Sequence, residues 1–227
     1  MTLRVGGLTP LSTTDWPGML AAVVFCQGCP WRCGYCHNPG LIPARGENEI
    51  PWDDVLAFLR RRQGLLDGVV FSGGEPTLQP GLADAMREVR ALGFRVGLHT
   101  GGAYPRRLAE VLPLVDWVGL DAKAPLADYP RITGVAGSGE RARSSLERVL
   151  ASGVAHDIRT TVHPALLADA DVVNLAQDLS AHGVKHYVIQ AFRSQGCADA
   201  ALIQDARRER PLASLVEDVA GLFQSGH

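Results

Sequence analysis

Apolar residues gather in short, nearly continuous runs along the chain, and stretches with a helical period separate most of them. Residues 20–26 (LAAVVFC), 68–71 (GVVF), 94–99 (FRVGLH), 117–120 (WVGL), 158–162 (IRTTV) and 187–190 (YVIQ) have the length and composition of strands. Runs that are apolar throughout, rather than alternating, suit strands covered on both faces, as in a parallel sheet. Between them, residues 52–62 place Val55, Leu56 and Leu59 on one helical face, with Pro51 as the start signal. Residues 82–92 carry Leu82, Ala85, Met86, Val89 and Leu92 on one stripe and stop at Gly93. Helices over 105–112, 141–152, 171–182 and 212–223 complete the series. Gly153 and Gly183 follow two of them, where a left-handed C-terminal turn favours glycine.

Strand-then-helix order predicts an α/β fold, either a barrel or an open doubly wound sheet, with six units where a closed barrel needs eight. The chain, 1–227, reads as one domain. Residues 1–19 form an N-terminal extension, 20–193 the six βα units, and 194–227 a C-terminal loop and helix. Residues 124–139, rich in Gly and Pro, read as a long loop.

Charge narrows the function little: 22 Lys and Arg stand against 24 Asp and Glu, a formal net of −2. Without a basic excess, duplex or tRNA binding is disfavoured, although local basic clusters remain open. No apolar run reaches the roughly 18 residues of a membrane span, and the N-terminus lacks a signal-peptide layout. A cytosolic protein is the expectation. The cysteines say more. Four of the five fall between Cys26 and Cys36, and Cys197 stands alone. Thiols so close together staple no distant segments, so metal binding is the better reading.

In parallel α/β folds chemistry collects at the carboxyl ends of the strands. Here those ends read CQGCPWRCGYCHNP, SGGEPT, HTGG, DAK, HP and AFRSQGC, which hold nearly every conspicuous polar group of the chain. Cys29, Cys33 and Cys36 have the spacing C-x3-C-x2-C. Three thiolates on one tight loop can each take a different iron of a cubane, leaving the fourth iron open to a small molecule. The competing reading is a four-cysteine zinc site that includes Cys26. Zinc knuckles lie on separated turns, however, and Cys26 closes an apolar strand. Cys26 is better read as a small buried residue, and Cys197 as having no special role. Gly73 and Gly74 allow close backbone approach to a ligand, and their carbonyls can accept from an ammonium group. Lys123, after an apolar strand, is placed to pair with a carboxylate, where the plainer reading is a solvated salt bridge with Asp121.

The loop Cys29-Pro-Trp-Arg-Cys33-Gly-Tyr35-Cys36 resembles the signature of the radical S-adenosylmethionine (SAM) superfamily, including the aromatic residue before the last cysteine. The resemblance implies a partial (βα)6 TIM-like barrel. It also implies a [4Fe–4S] cluster on Cys29, Cys33 and Cys36, whose open iron is chelated by the amino and carboxylate groups of SAM. One electron then cleaves SAM to a 5′-deoxyadenosyl radical that abstracts a hydrogen atom. By the same resemblance Tyr35 and His37 border the adenine, and Gly73-Gly74-Glu75 is the GGE motif that holds the SAM amino group, with Glu75 orienting the loop. Asp121 and Lys123 match an Asp-x-Lys motif that contacts SAM, and Thr100 is a further SAM contact. His99-Thr100-Gly101-Gly102 departs from the Asp-Thr-Asn-Gly of the glycyl-radical-enzyme activases at His99 and Gly101, which puts the activases' monovalent cation site in doubt here. Arg159, His163, Gln190 and Arg193 are weaker candidates for ribose or substrate.

LSTTDWPG at 11–18, FSGGEP, LDAK, the Ile132-Thr133-Gly134 loop and YVIQAFR extend the match. Together they resemble the activating proteins of anaerobic ribonucleoside-triphosphate reductases and, more distantly, the pyruvate formate-lyase activating enzyme. The partners so implied are a glycyl radical enzyme, an anaerobic ribonucleotide reductase in particular, and a flavodoxin- or ferredoxin-type electron donor. The competing readings are a radical SAM enzyme acting on a small molecule, like 7-carboxy-7-deazaguanine synthase, and a metal-binding scaffold without catalysis. The GGE and Asp-x-Lys strand ends speak against the scaffold.

Overall fold

The computed structural model describes residues 2–206 and 212–223. Seven strands make one sheet in chain order: β1 (Val5–Ser12), β2 (Ala21–Cys26), β3 (Gly68–Gly73), β4 (Arg95–Thr100), β5 (Trp117–Asp121), β6 (Ala155–Val162) and β7 (Tyr187–Ala191). From β2 to β7 every neighbour is parallel, and only β1 runs antiparallel to its partner β2. The helices α1 (Trp52–Arg60), α2 (Leu82–Ala91), α3 (Pro105–Val111), α5 (Ser138–Ser152) and α6 (Asp169–Ala181) fall where the apolar stripes predict them. This is the partial barrel of the sequence reading, open because β1 and β7 do not pair.

Two short elements differ from expectation. The loop predicted over 124–139 contains α4 (Tyr129–Thr133), which ends at Gly134 in the left-handed region (φ 70°). The C-terminal stretch holds α7 (Ala200–Ala206) besides α8 (Ala213–Ala220), and residues 207–211 and 224–227 lie outside the described residues. The N-terminal extension is not an appendage, since β1 occupies its middle. Two glycines and Pro10 hide that strand from a propensity reading. They are tolerated because β1 is an edge strand, bonded on one side only.

Alternation along the strands divides the molecule into an outer and an inner layer. Outward-facing Val24, Phe71, Leu98, Leu120 and Ile158 pack against the apolar stripes of α1, α2, α3, α5 and α6 in the main core. Inward-facing Val23, Val70 and Trp117 form a smaller core with Trp16, contributed by the segment between β1 and β2. Trp16 stacks on Trp117 at 5.7 Å and fills the floor of the half-barrel. It fits because Gly68 and Gly97 lie beneath it: a Cβ on either would stand 2.9 and 2.8 Å from the indole. Above this floor the inner face turns polar. No helix among the described residues is long and apolar enough to cross a membrane.

Candidate functional site

The cysteine loop starts where β2 ends. Cys26 is fully buried in the main core and does not border the cavity above the sheet. Beyond it the backbone is pinned at several points. Gly28 N donates to Leu41 O (2.8 Å), Cys29 N to Ile42 O (3.1 Å), and Arg32 N to Thr133 O at the end of α4 (2.8 Å). Held in this way, the half-buried Cys29, Cys33 and Cys36 all border one cavity of about 180 Å³. Burial, partly offset by a hydrogen bond from the Trp31 backbone, pushes the Cys29 thiol up to about 12, and burial raises Cys33 as well. Metal binding must therefore displace protons from these thiols. Among the described residues no three His, Cys, Asp or Glu side chains converge to hold a single ion.

The end of β3 packs directly on this loop. Gly73 has φ 111°, and a Cβ there would overlap the Cys26 backbone. One on Gly74 would overlap Gly28 O. Glycine is required at both positions. Gly74 N and Glu75 N donate to Cys26 O and Gly28 O, both at 2.9 Å. The Glu75 side chain, 2% exposed, faces away from solvent and ties strand ends together. Its Oε1 accepts from Thr77 N (3.1 Å), Thr77 Oγ1 (2.6 Å) and Thr100 Oγ1 (2.7 Å), and its Oε2 from Gly101 N (3.0 Å). Thr100 borders the cavity, but its hydroxyl proton goes to Glu75 and its oxygen also accepts from Gly102 N (2.9 Å).

Across the cavity stand Asp121 and Lys123. Lys123 Nζ lies 3.3 Å from Asp121 Oδ2, 6.0 Å from the Trp31 ring centroid and 5.7 Å from that of Tyr35. The Lys123 side chain is 12% exposed and that of Asp121 40%, so the ammonium is largely withdrawn from solvent while the carboxylate stays half open. Burial alone would lower the ammonium's pKa, but Tyr35, Asp121 and Cys33 more than reverse this and raise it. Burial would raise Asp121, yet Lys123, then Arg159 and His99, hold it below the ordinary carboxylate value. His99 is pushed down to about 4 by burial and then by Arg159, so it is neutral at pH 7. Its Nε2 lies 2.7 Å from Asp15 O and its Nδ1 3.3 Å from Ser72 Oγ.

A family model described as the radical SAM superfamily matches residues 23–188, most of the chain. The chain belongs to the radical SAM superfamily. Members work with a [4Fe–4S] cluster and SAM. The chain is 29% identical over 208 residues to a Methanocaldococcus jannaschii protein named as a glycyl-radical enzyme activating enzyme, an alignment spanning 88% of this chain and 84% of that protein. It is 36% identical over 137 residues to the pyruvate formate-lyase-activating enzyme of Clostridium pasteurianum, covering 58% of this chain and 57% of the relative. Among solved structures, Streptococcus suis SuiB bound to its precursor peptide SuiA superposes with a TM-score of 0.66 at 15% identity, over 88% of this chain and 44% of SuiB. TYW1 with a lysine-pyruvate adduct superposes with a TM-score of 0.62 at 16% identity, over 93% of this chain and 76% of that one. The two structural likenesses bear on the fold.

The cavity of this radical SAM chain gathers every residue that the motifs single out: the three cysteines, Tyr35, His37, Gly73, Gly74, Glu75, Thr100, Asp121 and Lys123. The residues fit a bound group. Four buried side-chain polar atoms lack a partner among the described residues, and three of them (Trp31 Nε1, His37 Nε2 and Arg159 Nε) belong to residues bordering this cavity. Of the four weaker candidates only Arg159 borders it. His163 is buried elsewhere, with Nε2 2.9 Å from Leu202 O and its ring edge-on to Phe192. Gln190 and Arg193 are exposed and outside the lining. Sequence reasoning missed Trp31, Ser72 and Thr161. Trp31 read as a spacer inside the cysteine motif. Thr161 shares an inner face with Arg159 at a spacing of two, a signal that only a known strand register makes usable.

Proposed function

We propose that this chain activates a glycyl radical enzyme, and that its partner is an anaerobic ribonucleotide reductase. One observation carries the reading: the three thiols, the Gly73-Gly74 backbone and the Asp121–Lys123 pair, from three strand ends, border a single cavity. Cys29, Cys33 and Cys36 would hold three irons of the cluster and leave the fourth open. When bound, the cluster and SAM supply reductive cleavage to a 5′-deoxyadenosyl radical, which removes a hydrogen from a glycine Cα. The chain's own residues bind and orient. The carbonyls of Gly73 and Gly74 accept from the SAM ammonium, Asp121 and Lys123 contact SAM with Lys123 at its carboxylate, and Tyr35 and His37 flank the adenine. Glu75 and Thr100 hold the frame, with Thr100 contacting SAM through whatever acceptor capacity its oxygen retains.

Glycyl-radical activation is supported by the likeness to the M. jannaschii protein over most of both chains and by the partial likeness to the pyruvate formate-lyase-activating enzyme. The reductase is supported by LSTTDWPG at 11–18, the Ile132-Thr133-Gly134 loop and YVIQAFR. A half-barrel in which β7 pairs with β6 on one side and with no described strand on the other offers room for a loop of a large protein. The electron would come from a flavodoxin or ferredoxin in the cytosol. The test is electron paramagnetic resonance after anaerobic incubation with SAM, a reductant and a co-encoded anaerobic ribonucleotide reductase. A glycyl-radical signal on the reductase is expected. Its absence with a preparation that does cleave SAM would shift the reading to another glycyl radical enzyme or a small-molecule substrate.

A further inference from the structure

Asp121 and Arg159 stand directly opposite each other in the register of β5 and β6. The Asp121 carboxylate divides between two cations: Oδ1 accepts from Arg159 Nη2 at 3.2 Å, and Oδ2 faces Lys123 Nζ at 3.3 Å. The two cations are mounted differently. Lys123 is a flexible point charge at the cavity wall, close to the aromatic rings of Trp31 and Tyr35. Arg159 is built in. Its guanidinium lies 5.9 Å from the Trp117 ring centroid, its Nη1 is 3.2 Å from His99 Nε2, and its side chain is 13% exposed.

The seat for that guanidinium is a missing side chain. A Cβ on Gly119 would stand 2.8 Å from both Cζ and Nη2 of Arg159. Trp117, which holds the guanidinium from one side, itself rests on Trp16 at the barrel floor. Arg159 is thus supported from below by a stacked column and bordered at the side by His99, whose Nε2 approaches the carbonyl of Asp15 at 2.7 Å. That 2.7 Å contact requires Nε2 to carry the hydrogen, since a carbonyl oxygen only accepts. Arg159 Nη1 then has no acceptor in His99. The firm bond of the guanidinium head is the one to Asp121.

We propose that Arg159 is the positioning residue for Asp121: seated over Gly119, it holds the Asp121 carboxylate in place so that Lys123 can turn from Asp121 to the carboxylate of SAM. The proposal rests on reading the cavity as the SAM site. Without Arg159, Lys123 is the only cation left to Asp121 among the described residues, and the pair closes on itself instead of meeting the ligand. Arg159 acts through Asp121 and needs no contact with SAM.

The test measures SAM affinity calorimetrically on anaerobically cluster-loaded, oxidised protein, with iron content and melting temperature as checks on folding. Gly119→Ala is the informative variant, because it keeps every charge while its Cβ crowds the guanidinium at 2.8 Å and the edge of the Trp117 ring beside it at 2.9 Å. It and Arg159→Gln are each expected to weaken SAM binding about tenfold, the scale of one charge-assisted hydrogen bond. Combined, they should be no worse than Arg159→Gln alone, and on an Asp121→Asn background Arg159→Gln should change affinity less than about twofold, since coupled residues do not add. Arg159→Lys, which preserves charge and loses the planar fork, is expected to fall with the other two and decides the matter if Arg159→Gln does not fold. Unchanged affinity in Gly119→Ala and Arg159→Lys, or a full tenfold loss on the Asp121→Asn background, would overturn the proposal alone. Failure of the wild-type loaded chain to bind SAM would overturn the reading of the cavity along with it.

Discussion

Glu75 shows how a residue beside the cavity can spend its side chain on the surrounding frame. Its two oxygens accept four hydrogen bonds from Thr77, Thr100 and Gly101, and almost none of it meets solvent. Glu75→Gln puts an amide NH2 where only donors converge. It is expected to cost about 2–3 kcal/mol in urea unfolding, the penalty for a buried polar group left facing its own kind. Cys33 presents the opposite case, a half-buried side chain at the cavity with no such set of donors around it among the described residues. Anaerobic reconstitution should load about four irons on the wild-type chain, and Cys33→Ala should fall well below that and lose reductive SAM cleavage. Full iron loading and cleavage by the variant would refute the ligand assignment. The cysteines, Gly73-Gly74-Glu75 and Asp121-Ala122-Lys123 were legible in the sequence because each is contiguous and each ends a strand. Ser72 and the firm place of Arg159 were not, because only the register of β3 to β6 brings them to one inner face; Trp31 was not, because the folding of the cysteine loop, and no strand, brings its ring to Lys123.

Among the elements, the main parallel strands and their helices were legible from apolar runs and helical period, since both faces of β2 to β5 are covered. β1 was not, because an edge strand with one bonded side carries no continuous apolar run and tolerates Gly6, Gly7 and Pro10. Its neighbouring segment proves structural: Trp16, 6% exposed, supplies the interior layer that an open barrel lacks. Trp16→Ala should therefore destabilise the chain by about 3–5 kcal/mol, as for other large-to-small changes in a core. Gly97→Ala, which brings a Cβ to 2.8 Å from the indole, should cost on the order of 1–3 kcal/mol by overpacking. Chemical denaturation of both variants checks this. Near-wild-type stability in both would mean that the segment before β2 is an appendage after all.

Across the whole molecule, His99 links the segment before β2 to the cavity, and its protonation gives a pH signature. Burial and Arg159 depress its folded pKa to about 4, below the ordinary histidine value near 6.5. The unfolded chain therefore binds the extra proton first as the pH falls, so the neutral His99 contributes stability above about pH 6.5 that is lost on the way down to about pH 4. The depressed Asp121 works in the same direction at lower pH. Relative to His99→Gln, the wild-type chain should lose roughly 2 kcal/mol more between pH 7 and pH 5 in denaturant titrations. Equal losses would place a normally titrating histidine there.

An open cluster site on Cys29, Cys33 and Cys36 beside a SAM pocket is tested by chromatographic detection of 5′-deoxyadenosine after the reconstituted chain is reduced anaerobically with SAM. The wild-type chain is expected to form 5′-deoxyadenosine and Cys33→Ala none. A chain that binds one zinc, takes up no iron and forms no 5′-deoxyadenosine would contradict it.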